Sequence, residues 1–363
     1  MDGMNAALKP GRPTRSRLVA TLLATVVVAG GVTVWVARGA AAEPALPPLT
    51  ASELLNRVAT AEVDGLSATF VQRSDLGLPE LPSGLGGTGD DWQAALGLVT
   101  GDHTFRVWQA GPEHSRVSLV DSDSESSLIR NGDQVWAWSS EQQQVGHGRL
   151  TAGEQPTRPS GMPATPAEAV ADLLEALEPS TEITTSGTGY VAGRPVYQLI
   201  LTPRDAGSLV GQVRVSVDAG EFVPLAARVL TREGADAISV AATSVDFAVP
   251  AAGIFEFTPP PGAEVTEWHA DEAERPDRGS GPEPETFGSG WTTVAVIATD
   301  READEADKAE LQTLLESLPA VSGAWGSGRL LSTTLLTVVI ADDGRVAVGA
   351  VAEDRLYAAL AER

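Results

Sequence analysis

The chain has 363 residues, with 25 Lys and Arg against 49 Asp and Glu, a net charge of −24, 42% hydrophobic residues and no cysteine. Its length suggests about two domains, and its apolar content is enough for a packed core rather than a disordered chain. The absence of cysteine excludes disulfides, thiolate metal sites, a cysteine nucleophile and a lipid-modified cysteine. The acidic balance argues against DNA or RNA as a partner, because neutralising phosphates needs a basic face.

Charge is unevenly spread along the chain. Residues 1–42 hold five basic side chains (Lys9, Arg12, Arg15, Arg17 and Arg38) and one acid, Asp2, so the remainder carries a net −28. Residues 18–37 form a run of 20 positions without a charge. As a helix this run would span about 30 Å, the thickness of a bilayer's hydrocarbon core. The basic residues before it predict a cytoplasmic N-terminus and export of everything after Arg38. Ala40-Ala41-Ala42 offers a small-x-small cleavage site. A cleaved signal peptide and a retained anchor both fit; a buried core helix fits less well, because the basic residues cluster at one end. The expected location is extracytoplasmic, in the cell envelope, with membrane association if residues 18–37 are retained.

Residues 43–49 are Pro-rich and read as a linker. Thr50 or Ser52 can cap a helix running to about residue 61, with Leu54, Leu55, Val58 and Ala59 as its apolar stripe. A strand is predicted at 66–73, then a long Gly/Pro loop over 75–103. Short strands follow at 104–109, 116–120, 127–130, 134–138 and 143–150, with a hairpin signal at Asn131-Gly132. A second Pro/Gly loop covers 151–166, and Pro166 opens a helix over 167–177 whose apolar face is Val170, Leu173, Leu174 and Leu177. Further strands are predicted near 189–203, 210–218, 222–231 and 237–247. In the second of these, Val213, Val215 and Val217 alternate with polar residues, which gives one buried and one wet face. The organisation expected is a segment 1–42, a linker 43–49, a domain 50–266, a charged linker 267–290 and a small α+β domain 291–363. The last has a strand at 292–298, a helix at 303–318, strands at 332–341 and 345–351 around an Asp342-Asp-Gly344 turn, and a helix at 353–361. The fold class is α+β: a large curved antiparallel sheet with covering helices, plus the small C-terminal α+β domain.

Little in the chain looks catalytic. His103, His114, His147 and His269 have no metal-ligand spacing and are expected at the surface. There is no Gly-x-Ser-x-Gly elbow, no Ser-x-x-Lys and no Walker A sequence. The glycines at 84–89 lack the flanking strand and helix of a phosphate loop. Asp121-Ser-Asp123-Ser-Glu125 starts like a calcium loop and then breaks the pattern, so a solvated acidic turn is expected there. The acids at 300–307 suit the start of a helix. No catalytic residue, no metal site and no cofactor is expected. What remains is apolar. Phe70, Phe105, Val107, Trp136, Trp138, Tyr197, Leu199, Leu201, Val213 and Val215 lie on the predicted strands, and a curved sheet with few covering helices can leave a greasy cavity among them. A normally filled core is the alternative.

Several stretches carry a family resemblance. Leu54-Leu-Asn-Arg-Val-Ala59 followed by Leu66-Ser-Ala-Thr-Phe-Val-Gln72 resembles the opening helix and first strand of the LolA-like lipoprotein carriers. Asn131-Gly-Asp-Gln-Val-Trp-Ala-Trp138 is similar to their Trp-bearing hairpin, and Phe257-Thr-Pro-Pro-Pro-Gly-Ala-Glu-Val265 to their closing segment. These cover about 50–266 in the family's order. The added C-terminal part, with Gly288-Ser-Gly-Trp-Thr-Thr-Val294, resembles the two-domain RseB/MucB type of sigma-factor regulator. The resemblance implies a half-barrel closed by a helical lid, an apolar interior for acyl chains, and no catalysis. Arg106 and Arg116 are the candidates for the carriers' lid-holding arginine. The loops at 75–103 and 151–166 are longer than in the carriers. Two functions follow as expectations. One is an exported protein holding the acyl chains of a lipid or lipoprotein. The other is an envelope-stress regulator that senses lipid and binds an anti-sigma factor or other membrane protein through its C-terminal domain. Deleting 286–363 is expected to spare lipid binding under either.

Overall fold

The computed structural model describes residues 44–77, 101–121, 124–150, 179–269, 284–298 and 315–362. The helix expected at 167–177, the glycine loop at 84–89, the acids at 300–307, the N-terminal apolar run and most of the helix expected at 303–318 lie outside the described residues.

Twelve strands form one large sheet. The first six are β1 (Gly65–Ser74), β2 (His103–Ala110), β3 (His114–Val120), β4 (Glu125–Asn131), β5 (Gln134–Ser139) and β6 (Gln144–Arg149). The rest are β7 (Thr181–Val191), β8 (Arg194–Pro203), β9 (Val210–Asp218), β10 (Pro224–Thr231), β11 (Asp236–Asp246) and β12 (Glu264–His269). Their order across the sheet is β12-β6-β5-β4-β3-β2-β1-β11-β10-β9-β8-β7. Two meanders therefore meet along one seam, β1 against β11, which carries a bulge between Thr69 and Phe70. Neighbours are antiparallel except β12, which runs parallel to β6. The expected all-antiparallel sheet is thus corrected at one edge, where the closing segment returns alongside β6 instead of ending near Val265.

Local chemistry explains most elements. Helix α1 (Ala51–Ala59) starts at a full capping box: Thr50 Oγ1 accepts from the Glu53 amide at 3.2 Å, and the Thr50 amide donates to Glu53 Oε2 at 2.8 Å. Gly132, at φ +64°, makes the predicted β4–β5 turn. The strand expected over 189–203 is in fact the hairpin β7–β8. Its turn is Ala192-Gly193, with φ of +49° and +76°. Both central residues are left-handed, as a tight hairpin requires, but Ala is a poor residue for the first position and gave no turn signal.

The sheet curls. β7 and β11, four places apart, approach each other, and Arg194, just after the β7–β8 turn, stacks 4.7 Å above the Phe247 ring. Arg194 also forms a two-pronged pair with Asp218, at 2.6 and 3.0 Å. Asp218 is fully buried. Burial opposes its ionisation, but the Arg194 guanidinium and the Glu221 and Gly220 amides outweigh that and hold its carboxyl below the ordinary range.

A six-stranded sheet follows in the order β13-β14-β18-β17-β16-β15. Its strands are β13 (Glu285–Phe287), β14 (Val294–Ala298), β15 (Ala320–Gly323), β16 (Gly326–Ser332), β17 (Thr337–Ala341) and β18 (Arg345–Gly349). Helix α2 (Glu353–Ala361) buries Leu356, Ala359 and Leu360 against Val294, Val339 and Ala347. The strand expected over 332–341 is split by a turn at 333–336, and β15 and most of β16 come from a Gly-rich stretch with no strand signal. This second sheet is tied to one end of the large one. Leu209 donates its amide to Ala350, and Thr334 donates to Leu76, both at 2.8 Å. Trp291 Nε1 donates to the buried Thr181 hydroxyl at 2.7 Å. Leu335 is buried in the same cluster as Leu201, Val213 and Ile238. Removing 286–363 would therefore open the large sheet's own core, so that deletion is not a neutral cut.

Three outcomes are expected. Ala192→Asn relieves the left-handed alanine and raises stability by about 1 kcal/mol, read by denaturant unfolding. Arg194→Ala strands a buried carboxylate and costs about 3 kcal/mol at neutral pH. Because the folded-state pKa of Asp218 is lowered, the pair's contribution is full above the ordinary aspartate value of about 3.9 and disappears as pH falls through the lower folded value, so wild type and variant converge in acid. Gly290, at φ +58°, sits where a Cβ would lie 2.5 Å from that of Ser180. Gly290→Ala is expected to prise the sheets apart and lower the melting temperature by several degrees, about 4–8 °C per kcal/mol in a small domain and less in a larger one.

Candidate functional site

Strand alternation and register decide which face each side chain takes. On one face, Leu199 pairs across to Val215, Val215 to Ala227, Ala227 to Val240, and Val240 to Gln72. This is the inner face of the curl. Phe70 and Phe105 are direct partners on it, as are Ala68 and Val107. Tyr197, Leu199, Leu201, Val213 and Val215 share it with them. Trp136 and Trp138 do not: Trp136 stands opposite Ile129, and Ile129 opposite Arg116, on the outer face. Eight of the ten apolar candidates are thus on one face, and the two tryptophans are on the other.

The inner face has two unlike halves. Over β7–β11 it is filled. Leu54 is fully buried there against Tyr197, Leu199, Val213 and Val229, with Leu55 and Val58 beside it. Residues 44–49, expected to be a linker, are instead a strap across this half. Thr188, Thr185 and Tyr197 donate hydroxyl hydrogen bonds to the carbonyls of Pro44, Leu49 and Pro47, at 2.9, 2.8 and 3.1 Å. Leu46 and Leu49 pack on the same cluster. Here the filled-core alternative holds.

Over β2–β5 the inner face stays open among the described residues. Val107, Val117, Leu128 and Ala137 form a row in direct cross-strand register. Leu128 is 56% exposed and Val117 37%. Phe105 and Leu119 make the next row, with Phe105 buried against the seam. Val117, Leu128 and Ala137 carried no sequence signal as site residues. Leu128 lies between Ser127 and Ile129, and since both faces of β4 hold apolar residues, alternation is masked there.

The outer face of this half is covered by the chain's return after β11. Phe255 is 1% exposed beside His114, at 5.7 Å between rings, and Phe257 lies 5.5 Å from the Trp136 ring. Arg116 pins this crossover by donating to the Ile254 carbonyl at 3.3 Å, and it also reaches Glu125 and Ser118. Arg106 and Arg116, the lid-holding candidates, therefore both point away from the inner face. His147 is not a plain surface residue. Its ring stacks on Trp136 at 3.7 Å, and Nδ1 meets Glu267 at 2.8 Å. His103, at the start of β2, pairs with Asp121, just after β3, at 3.1 Å. No cluster of metal-ligating side chains occurs among the described residues. No helix among them is long and apolar enough to cross a membrane.

No family model and no curated protein matches the chain. Solved structures are similar at low identity. The Pseudomonas aeruginosa MucA/MucB complex matches at 17% identity over 85% of this chain and 96% of that one, with a TM-score of 0.44. An uncharacterized conserved protein from Thermus thermophilus matches at 12% over 60% of this chain and 99% of its own, with a TM-score of 0.35. A LolA superfamily protein from Nitrosomonas europaea matches at 14% over 58% and 99%, with a TM-score of 0.23.

Proposed function

We propose that the chain is a non-catalytic, extracytoplasmic binding protein that lays the acyl chains of a lipid or lipoprotein against the open half of its inner face. The observation that supports this reading is the row Val107, Val117, Leu128 and Ala137, apolar, in register and exposed at its centre. An exposed apolar row on the inside of a curved sheet is the kind of surface that marks a binding site rather than a solvated strand. Phe70 and Phe105 would form its inner wall, while Tyr197, Leu199, Leu201, Val213 and Val215 act as the packed base of the scaffold. Trp136 and Trp138 are left out of the cavity because they face the other way. The division into 50–266 and 291–363 is part of the proposal, with the second part docked on the first.

A regulatory reading, in which the C-terminal part contacts an anti-sigma factor or other membrane protein, draws support from the tight coupling of the two sheets through Trp291, Thr334 and Leu335. Such coupling would carry a change at the large sheet to the smaller one.

The test is native mass spectrometry of residues 43–363, purified from an exporting host in mild detergent, together with titration by a fluorescent fatty acid. A co-purifying lipid mass is expected. Leu128→Glu and Val117→Glu, which alter exposed positions only, are expected to remove it without loss of stability. Shortening the titrant by two methylenes is expected to weaken binding about tenfold, from roughly 0.8 kcal/mol per buried methylene. A clean apo mass with no fatty-acid binding would remove the lipid reading.

A further inference from the structure

Strand β12 is held differently from its neighbours. It is parallel to β6 over Glu264 to His269, and the Glu264 amide donates to the Gln143 carbonyl at 3.0 Å. Yet Glu264, Val265, Thr266 and Glu267 are all exposed, Val265 by 44%. These four residues bury no apolar side chain, so what holds this part of the strand is backbone pairing and the contact of Glu267 with His147. Such a hold is weaker than that of a strand whose alternate side chains enter a core.

The edge beneath it is firm. Val145 on β6 is 1% exposed, and the His147 ring is fixed flat against Trp136. The chain before β12 is also fixed, by Phe257 on the tryptophans and by Arg116 on Ile254. Between them lies a turn around Pro260 and Gly262, with Gly262 at φ +88°. β12 can therefore lift from this turn while the crossover stays in place. Lifting it bares a row of β6 backbone donors and acceptors, which accept any extended chain. It also leaves the oriented Nδ1 of His147 directed at the vacated edge, and a carboxylate is the group that Nδ1 meets when the edge is filled.

We propose that the β6 edge is a docking site for an extended segment of a second protein, which pairs with β6 in place of β12 and presents an acidic side chain to His147. β12 is the chain's own placeholder on that edge. The inference does not depend on the lipid reading, since it concerns the backbone edge of β6 and the outer-face His147 rather than the inner-face row, and a different kind of ligand.

The test uses the full chain, a fluorescein-labelled peptide of residues 263–270 (Ala-Glu-Val-Thr-Glu-Trp-His-Ala), and the variant Thr266→Pro, which removes a backbone donor and unseats β12. The peptide is expected to bind Thr266→Pro at least tenfold more tightly than wild type, because β12 competes from within the same chain. Glu267→Ala in the peptide is expected to cost most of that binding. An unrelated β-forming octapeptide with Glu in the fifth place is expected to bind, and its Lys counterpart to fail. Hydrogen exchange on the unmodified chain is the second measurement: amides of 265–269 are expected to exchange about tenfold faster than those of β5. Equal protection of β12 and β5 overturns the proposal, as does equal peptide binding by wild type and variant, or a folded variant that binds no peptide. A dimer formed by exchange of β12 between two copies overturns the choice of a second protein as occupant. Fatty-acid binding, read in parallel, separates failure here from failure of the lipid reading.

Discussion

Burial of Leu54 and its neighbours in the trough of β7–β11 is the interaction from which the rest of the fold follows. A sheet of twelve strands presents two broad faces, and this chain has few described helices with which to cover them. Among the described residues, one helix, one strap and Leu335 of the small sheet cover the inner face of one meander. In the other meander the cover lies on the outer face, where Phe255 packs beside His114 and Phe257 beside the tryptophans. The face covered by described residues thus changes side near the seam of β1 and β11. The inner face beyond the seam is left without a described partner, although it carries leucine and valine. The open row is a consequence of that switch.

Much of this was legible where the signal is local. Thr50 with Glu53, Asn131-Gly132, Asp342-Asp-Gly344 and the Val213, Val215, Val217 alternation each specify their element within a few residues. The misses share a physical cause. Ala192-Gly193 turns the chain with an alanine in a glycine's conformation, so composition is silent. The Thr- and Gly-rich start of β7 lies before the strand expected at 189–203, yet its hydroxyls, with that of Tyr197, hold the strap. β12 is paired with residues about 120 positions earlier, and no local pattern encodes a parallel edge. For Trp136 and Trp138, alternation shows that they share a face but not which one. That answer needs the register carried across β5, β4, β3 and β2 to the seam.

The same register separates roles within the apolar candidates. Leu199 and Val213 are buried against Leu54, so substituting them reports on folding. Leu128 and Val117 are exposed, so substituting them reports on binding. A sequence-level list of apolar strand residues mixes the two kinds, because hydrophobicity alone does not distinguish a core residue from a binding one.

The strap also gives the molecule a direction. Pro44 is fixed at Thr188, towards the β7–β8 turn, whereas the second sheet is fixed at Thr181, at the other end of the same strand. Seven residues of β7 separate these two points, about 23 Å of extended chain. Pro44 and the small sheet are therefore held at opposite ends of β7. β7 thus acts as a strut that sets the small sheet a strand's length from Pro44.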